Sequence, residues 1–298
     1  MNITVTGGTG FIGKGLVERL LADGHAVHIV GRSPRTALPP NTRFSLWDAM
    51  AGEPPVECLE EADAVVHLAG EPIAQRWTPE IKRRILASRV DGTRHLVQGI
   101  GRRDRPLPVL VSVSGIDYYG SRGDEILTED STAGRGFLPD VCVGWEREAR
   151  KAEQLGARVM VLRFGLVLGP GGALAKMLPP FKMGLGGRLG DGQQWMSWIH
   201  AADVVNLIAF VLEQPSVKGP VNATSPNPAR NADFTQALAR VLRRPAILPV
   251  PLFGLRLLFG EMSEVLLASH RVLPKAAEAA GFKFGFPDLG PALKHLLA

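Results

Sequence analysis

Thr6-Gly7-Gly8-Thr9-Gly10-Phe11-Ile12-Gly13 follows directly on an apolar, strand-like start, Met1 to Val5, and leads into Phe11, Leu16, Leu20 and Leu21 at helical spacing. Strand, glycine turn and helix thus arrive in the order that makes the glycines informative. Gly7 allows a tight turn, Gly10 lets the main chain approach a pyrophosphate, and Gly13 lets the helix pack closely on the strand. The amides of the first helical turn then face the anion. The spacing is the looser G-x-x-G-x-x-G, so its weight comes from the strand before it and the helix after it. Thr9, Phe11 and Ile12 complete the turn and are expected beside the nucleotide.

The next strand bears on which dinucleotide. Ala26 to Val30 reads as a second strand and ends at Gly31-Arg32-Ser33, with Arg35 close behind. A carboxylate at this point would bond a free ribose 2′-hydroxyl. A guanidinium offers planar paired donors to a 2′-phosphate, which a carboxylate would repel. Gly31 and Arg32 therefore predict NADP(H) rather than NAD. The competing reading makes Arg32 a solvated surface arginine.

Further along, strand and helix patterns alternate. Phe44 to Asp48 reads as a short third strand and Ala64 to Gly70 as a fourth, apolar enough for burial on both faces. Pro79 to Gly101 reads as a long helix, Val109 to Val113 as a fifth strand, Trp145 to Leu155 as a helix and Val159 to Gly165 as a sixth strand. Such alternation predicts an α/β chain with a Rossmann-type, doubly wound parallel sheet. Past Gly169 the character changes, with Gly, Pro and Met dense from Pro170 to Trp198. Helical patterns return at Ala202–Glu213, Asn231–Leu242, Leu252–Ala268 and Leu289–Leu297. The expected division is 1–169 for the dinucleotide and 170–298 for a smaller substrate lobe with elements returning to the main sheet. The segment Met177 to Gly192 reads as a mobile, glycine-rich cover of the substrate pocket.

Composition narrows the class. The 298 residues carry 34 Lys and Arg against 29 Asp and Glu, a formal charge of +5 with no basic stripe and interleaved aromatics, so nucleic acid is a poor fit. Cys58 and Cys142 form no motif, and His67, His95 and His200 have no metal-ligand spacing with them. The N-terminus opens on a strand with no basic leader, and Ile247 to Ala268 is too interrupted by Pro and charge to span a bilayer. The expectation is a cytoplasmic protein without a membrane or metal, a monomer or homodimer acting on a small molecule.

In sum these blocks resemble the extended short-chain dehydrogenase/reductases, specifically the YfcH-type epimerase-family proteins. The resemblance runs over essentially the whole chain. It rests on Thr6–Gly13, Leu68-Ala69-Gly70-Glu71, Ser88-Arg89, Arg163–Gly169, Met177–Phe181, Gly184–Gly187, Trp198-Ile199-His200 and Ala279–Phe282. It implies NADP binding and leaves the substrate open, a nucleotide sugar or a carbonyl compound. It also implies further cofactor contacts: Leu68, Ala69 and Gly70 at the ribose and pyrophosphate, Asp48 at the adenine edge, Arg89 turned toward the cofactor and Leu166 near the nicotinamide end. Each has a plain structural alternative: a turn for Asp48, a solvated helix face for Arg89, a core position for Leu166.

One feature of that family is missing. Its usual proton relay is Tyr-x-x-x-Lys, in which the lysine lowers the tyrosine pKa. The chain has two tyrosines, Tyr118 and Tyr119, and neither is followed by a lysine at the fourth position. Where the pair belongs, the chain reads Asp140-Val141-Cys142-Val143-Gly144-Trp145-Glu146. Ser114, the better placed of Ser112 and Ser114 at the end of the fifth strand, and Tyr119 remain as candidate catalytic residues. His200 is expected to line or brace the substrate cleft. Two functions stay open: an NADP(H)-dependent oxidoreductase or nucleotide-sugar epimerase-like enzyme, and a non-catalytic NADP(H)-binding sensor or regulator.

Overall fold

A computed structural model describes residues 1–33 and 38–297. Arg35 lies outside the described residues. The first half is built from β1 (Asn2–Thr6), α1 (Phe11–Ala22), β2 (Ala26–Gly31), β3 (Thr42–Leu46), β4 (Ala64–His67), α2 (Pro79–Gly101), β5 (Val109–Gly115), β6 (Ile126–Leu127) and α3 (Phe137–Arg150). It continues with β7 (Arg158–Phe164), β8 (Leu166–Leu168), α4 (Gly172–Lys182), β9 (Trp195–Met196), β10 (Trp198–His200), α5 (Ala201–Glu213) and β11 (Gly219–Ala223). The chain ends with β12 (Ala229–Arg230), α6 (Asn231–Leu242), α7 (Leu252–Phe259), α8 (Ser263–Leu267), β13 (Arg271–Val272), α9 (Lys275–Ala279) and α10 (Leu289–Leu297).

Seven strands form one parallel sheet in the order β11-β7-β5-β4-β1-β2-β3. From β1 the chain winds outward through β2 and β3, then returns to β4 on the other side of β1 and winds through β5 and β7 to β11. The winding reverses between β1 and β4, where a crevice opens at the carboxyl ends of the strands. Period-two side chains fill both faces. Ala64, Val66, Val111, Met160 and Leu162 meet α1 and α5, while Val65, Leu110, Val159 and Val161 meet α2. Each of these buried Val, Leu and Met side chains contributes about 1.5–3 kcal/mol of apolar burial. Helix α2 starts where its sequence directs, with Pro79 in the first turn and the Thr78 hydroxyl accepting from the Ile81 amide at 3.2 Å. A third cluster, including Leu174, Phe181, Trp198, Phe234 and Leu293, packs the far lobe.

The Rossmann-type sheet expected from the sequence is present, and three elements differ from their expected form. Helix α3 starts at Phe137, ahead of Trp145, because Leu138, Val141, Cys142 and Trp145 form a buried stripe at helical spacing. Met177 to Lys182, expected in a mobile cover, belongs to α4, whose Leu174 and Phe181 are buried. The prolines at 179 and 180 fall in its last turns, near the end of the amide ladder. The pattern over Leu252–Ala268 divides into α7 and α8 around Gly260, whose φ is +60°.

Candidate functional site

The crevice between β1 and β4 is a groove of about 280 Å³ lined by Gly7, Thr9, Gly10, Gly31, Arg32, Asp48, Leu68, Ala69, Gly70, Glu71 and Ser88, among others. Gly7 has φ +70°, and a Cβ there would sit 3.0 Å from the Ala69 nitrogen and the Leu68 carbonyl carbon. The turn is thus pressed directly against the end of β4. A Cβ on Gly13 would collide with the Gly7 carbonyl and Gly8, so α1 can lie this close only with glycine there. The N-cap of α1 is Gly10, without a side-chain cap or an acidic residue in the first turn. Its first amides are open to an anion. The Phe11 ring fills the space over Gly169 and Gly171, where a Cβ would come within 2.5 and 2.8 Å of it, and so ties the turn to the loop after β8. Ile12 is half-buried behind the turn against the main core. A larger hollow of about 480 Å³ lies at the amino ends of the strands, among Asn2, His25, His28 and Arg43. Open α/β sheets bind ligands outside the carboxyl ends, so the groove is the candidate.

The remaining groove residues arrive from four elements. Gly31 ends β2, and Arg32 after it reaches across the mouth, with Nη1 3.6 Å from Glu71 Oε2 and the side chain 55 % exposed. Arg84 of α2 approaches the same carboxylate at 3.4 Å. Asp48 Oδ1 accepts from the Met50 amide at 3.0 Å, so it holds a turn at the rim with its other oxygen toward solvent. Arg89 is buried against Gly70, donates to the Glu71 carbonyl at 2.9 Å and lies 5.0 Å over the Trp145 ring. Burial holds its pKa below the usual arginine range. Behind the groove, Thr6 shares a 2.7 Å hydrogen bond with His67 Nδ1 and accepts from the Ala69 amide at 3.3 Å. His67 Nε2 meets Thr93 at 3.1 Å, and burial lowers the imidazole pKa to about 4.

A second polar region lies at the end of β5. Ser114 is 2 % exposed, and its Oγ, like that of Ser112 on the same strand face, has no hydrogen-bond partner. It lies beside the Cys142 thiol without a well-formed bond to it. Burial, then Asp117, pushes that thiol up to about 12, so it stays protonated. Asp117 Oδ2 lies by Gly115, within 3.3 Å of where a Cβ would stand. Asp117 also faces His270, whose buried Nε2 has no partner and whose pKa burial lowers. His270 is held by its main chain, donating to the Trp195 carbonyl at 2.9 Å and accepting from Ser197 Oγ at 2.7 Å. No sequence motif marks His270 or Asp117. They meet through pairing of β13 with β6.

Tyr119 is fully buried. Its hydroxyl donates to Asn222 Oδ1 at 2.7 Å and accepts from Arg163 Nη1 at 2.9 Å. Burial raises its pKa to about 12, against the pull of Arg163. Arg163 in turn forks onto both Glu146 oxygens at 2.8 Å. Leu166 opens β8, its amide donating to the Ser197 carbonyl at 2.8 Å. His200 accepts from the Ala202 amide through Nδ1 at 3.0 Å, stacks on Phe286 at 3.9 Å and bonds His295 at 3.2 Å. Among the described residues no cluster of His, Cys, Asp or Glu is arranged to hold a metal, and no helix is long and apolar enough to cross a membrane.

Residues 3–223 match the model of the NAD dependent epimerase/dehydratase family, and 250–296 match that of a domain of unknown function. The chain is 44 % identical over 303 residues to the chloroplastic epimerase family protein SDR39U1 homolog of Arabidopsis thaliana, covering 100 % of this chain and 87 % of that one. It is 39 % identical over 299 residues to the epimerase family protein YfhF of Bacillus subtilis, covering 100 % and 98 %. Among solved structures, human epimerase family protein SDR39U1 with NADPH superimposes with a TM-score of 0.88 at 36 % identity, over 100 % of this chain and 99 % of that chain.

Proposed function

The chain belongs to the NAD dependent epimerase/dehydratase family, and on that premise we propose that it is an NADP(H)-dependent enzyme working at a carbon–oxygen centre of a small molecule, an oxidoreductase or nucleotide-sugar epimerase-like catalyst. The observation that carries this reading is the guanidinium of Arg32 at the end of β2, on the rim of a groove whose floor has no room for side chains. That cation favours a 2′-phosphate, and the human relative is described with NADPH. Residues 1–169 hold the dinucleotide and 170–298 shape the substrate side.

The glycine turn and the first amides of α1 take the pyrophosphate, Arg32 takes the 2′-phosphate, and Leu68, Ala69 and Gly70 let the ribose lie against main chain. Arg89 fixes the Gly70–Glu71 main chain from below. When bound, the dinucleotide supplies a hydride carrier at its nicotinamide ring. Ser114 is the group of this chain that meets the substrate oxygen. Its hydroxyl is dry and uncommitted, so its hydrogen bond is available in full to charge developing there. The Tyr119 hydroxyl already donates its hydrogen bond to Asn222, and the side chain serves by bracing the strand ends behind Ser114.

A second reading, a dinucleotide-binding sensor without turnover, is favoured by α3, whose inward face offers Leu138, Val141 and a thiol titrating at about 12 in place of a proton relay. Calorimetry with NADPH and NADH, followed by NADPH absorbance and product analysis with carbonyl compounds and nucleotide sugars, separates the two. The enzyme reading expects tighter binding of NADPH and turnover that Ser114→Ala cuts by about a hundredfold. Tight binding with no turnover selects the sensor, and no dinucleotide binding ends both.

A further inference from the structure

The six most exposed large apolar side chains among the described residues, from 66 to 83 % exposed, all fall in two short segments: Met183 and Leu185 in one, Ile247, Leu248, Phe253 and Leu257 in the other. The segments are neighbours. Val250 donates to the Arg188 carbonyl at 2.8 Å, Gly190 donates to the Val250 carbonyl at 3.1 Å, and Leu189 bridges to Val250 in parallel. Gly184 lies against the Pro245 ring, 3.6 Å from where a Cβ would stand. Helix α7 follows at once, with Phe253 and Leu257 one turn apart on its outer side and Leu255 turned inward. A concentration of apolar surface in one place marks a contact rather than ordinary scatter.

Charge indicates what the contact is with. Residues 182–190 and 243–260 contain Lys182, Arg188, Arg243, Arg244 and Arg256 and no Asp or Glu, and all five cations are exposed. None of the five forms an ion pair among the described residues. An isologous contact between two copies would set these cations against their own images. Apolar side chains interspersed with Lys and Arg suit an interface with anionic headgroups, where the apolar groups enter the acyl boundary and the cations meet phosphate. We propose that this face docks the protein on the surface of an anionic phospholipid bilayer, through Ile247, Leu248, Phe253 and Leu257 with Arg243, Arg244 and Arg256. The prolines at 249 and 251 that break the segment as a membrane span suit short apolar turns lying on a surface. The sequence expectation is a protein without a membrane, and the proposed contact departs from it: no helix among the described residues is long and apolar enough to cross a bilayer, and this face lies on the surface of one instead.

The test is flotation of the full chain with vesicles of phosphatidylcholine alone and of phosphatidylcholine with phosphatidylglycerol. Binding to the anionic vesicles is expected to exceed that to neutral ones by about tenfold or more and to weaken with salt. Phe253→Asp with Leu257→Asp, and separately Arg243→Glu with Arg244→Glu, are each expected to weaken it by about tenfold or more. These side chains are exposed, and unchanged NADPH affinity verifies the fold of each variant. Absence of vesicle binding, equal binding to both vesicles, or variants that bind like the parent would overturn the proposal. So would a concentration-dependent dimer dispersed by the Phe253→Asp, Leu257→Asp variant, which would give the face to a second copy. Failure of the parent to bind NADPH would sink the proposed function and leave this result standing.

Discussion

The glycine groove and the polar pocket at the end of β5 share one edge of one sheet, yet they are made in different ways. The groove is main chain: Gly7, Gly10, Gly13 and the 68–70 segment act by what their backbones can approach, and most of its parts lie at strand ends. The pocket is side chain: Ser114 from β5, Asp117 from the turn after it, Cys142 from α3 and His270 from the approach to β13. A cradle built from backbone tolerates change in what surrounds it. A pocket built from side chains can lack the family's usual tyrosine and lysine and still fold, because in the segment where they belong Val141 and Cys142 pack as ordinary core. On the proposed function, binding and chemistry are therefore separable, and the following experiments part them.

The largest expected effect is on the bracing behind the pocket. Glu146→Ala removes the one carboxylate that Arg163 grips through both oxygens, leaving a guanidinium at 2 % exposure with Tyr119 and the Glu129 carbonyl. An unpaired buried charge costs about 3–5 kcal/mol. Urea unfolding should show that loss, while the NADPH affinity of the protein that remains folded stays unchanged. A loss in affinity matching the loss in stability would mean that groove and pocket form one unit.

Ser114→Ala is expected to cut turnover by about a hundredfold, the usual cost of one donor at a developing oxyanion. Because the hydroxyl has no partner now, stability should hold or rise slightly. Turnover equal to the parent at unchanged KM would remove Ser114 from the chemistry. On the groove side, Arg32→Asp should weaken NADPH by about 2 kcal/mol, or about thirtyfold, and leave NADH nearly as before. Parallel losses for both nucleotides would show that Arg32 holds Glu71 in place rather than reading the phosphate.

How much of this is legible in the sequence follows the same division. The sheet, α1, α2 and the groove come from local patterns, an apolar run that ends in glycine and a helix that begins behind it, and each can be read in a window of residues. Helix α3 is mislocated from sequence because its start lacks a capping side chain, and Gly136 precedes it at φ +120°. The Tyr119–Asn222 and Arg163–Glu146 bonds join β11, β7 and α3 through the sheet order, which no spacing encodes. His270 is a lone histidine in sequence, and its burial beside Asp117 follows from strand pairing at the other end of the chain.

The smallest effect is a titration that marks the groove alone. His67 has its pKa lowered by burial to about 4, against 6.5 for the free imidazole, so it is neutral in the folded protein. Thr6 Oγ1 accepts from the Ala69 amide and pairs with Nδ1, while Nε2 pairs with Thr93, so both ring nitrogens of the neutral imidazole are engaged. As pH falls below 6.5 the unfolded chain takes up a proton that the fold refuses. The stability it contributes is therefore complete well above that pH and lost toward about 4, with about 1.4 kcal/mol gone near pH 5.5. Charging the ring makes Nδ1 a donor to Thr6 and turns the Thr6 hydroxyl proton elsewhere, which rearranges the contact under Ala69, so NADPH affinity should change over the same window. His67→Gln should flatten part of the stability curve, leaving the slope from His200, whose pKa is likewise lowered to about 4 but which stacks on Phe286 in the far lobe, and from His270 and His28, which burial also lowers. If the variant kept the full slope in both stability and affinity, the groove would owe nothing to the histidine behind it, and the contrast between the two ends of the crevice would have to rest on the glycines alone.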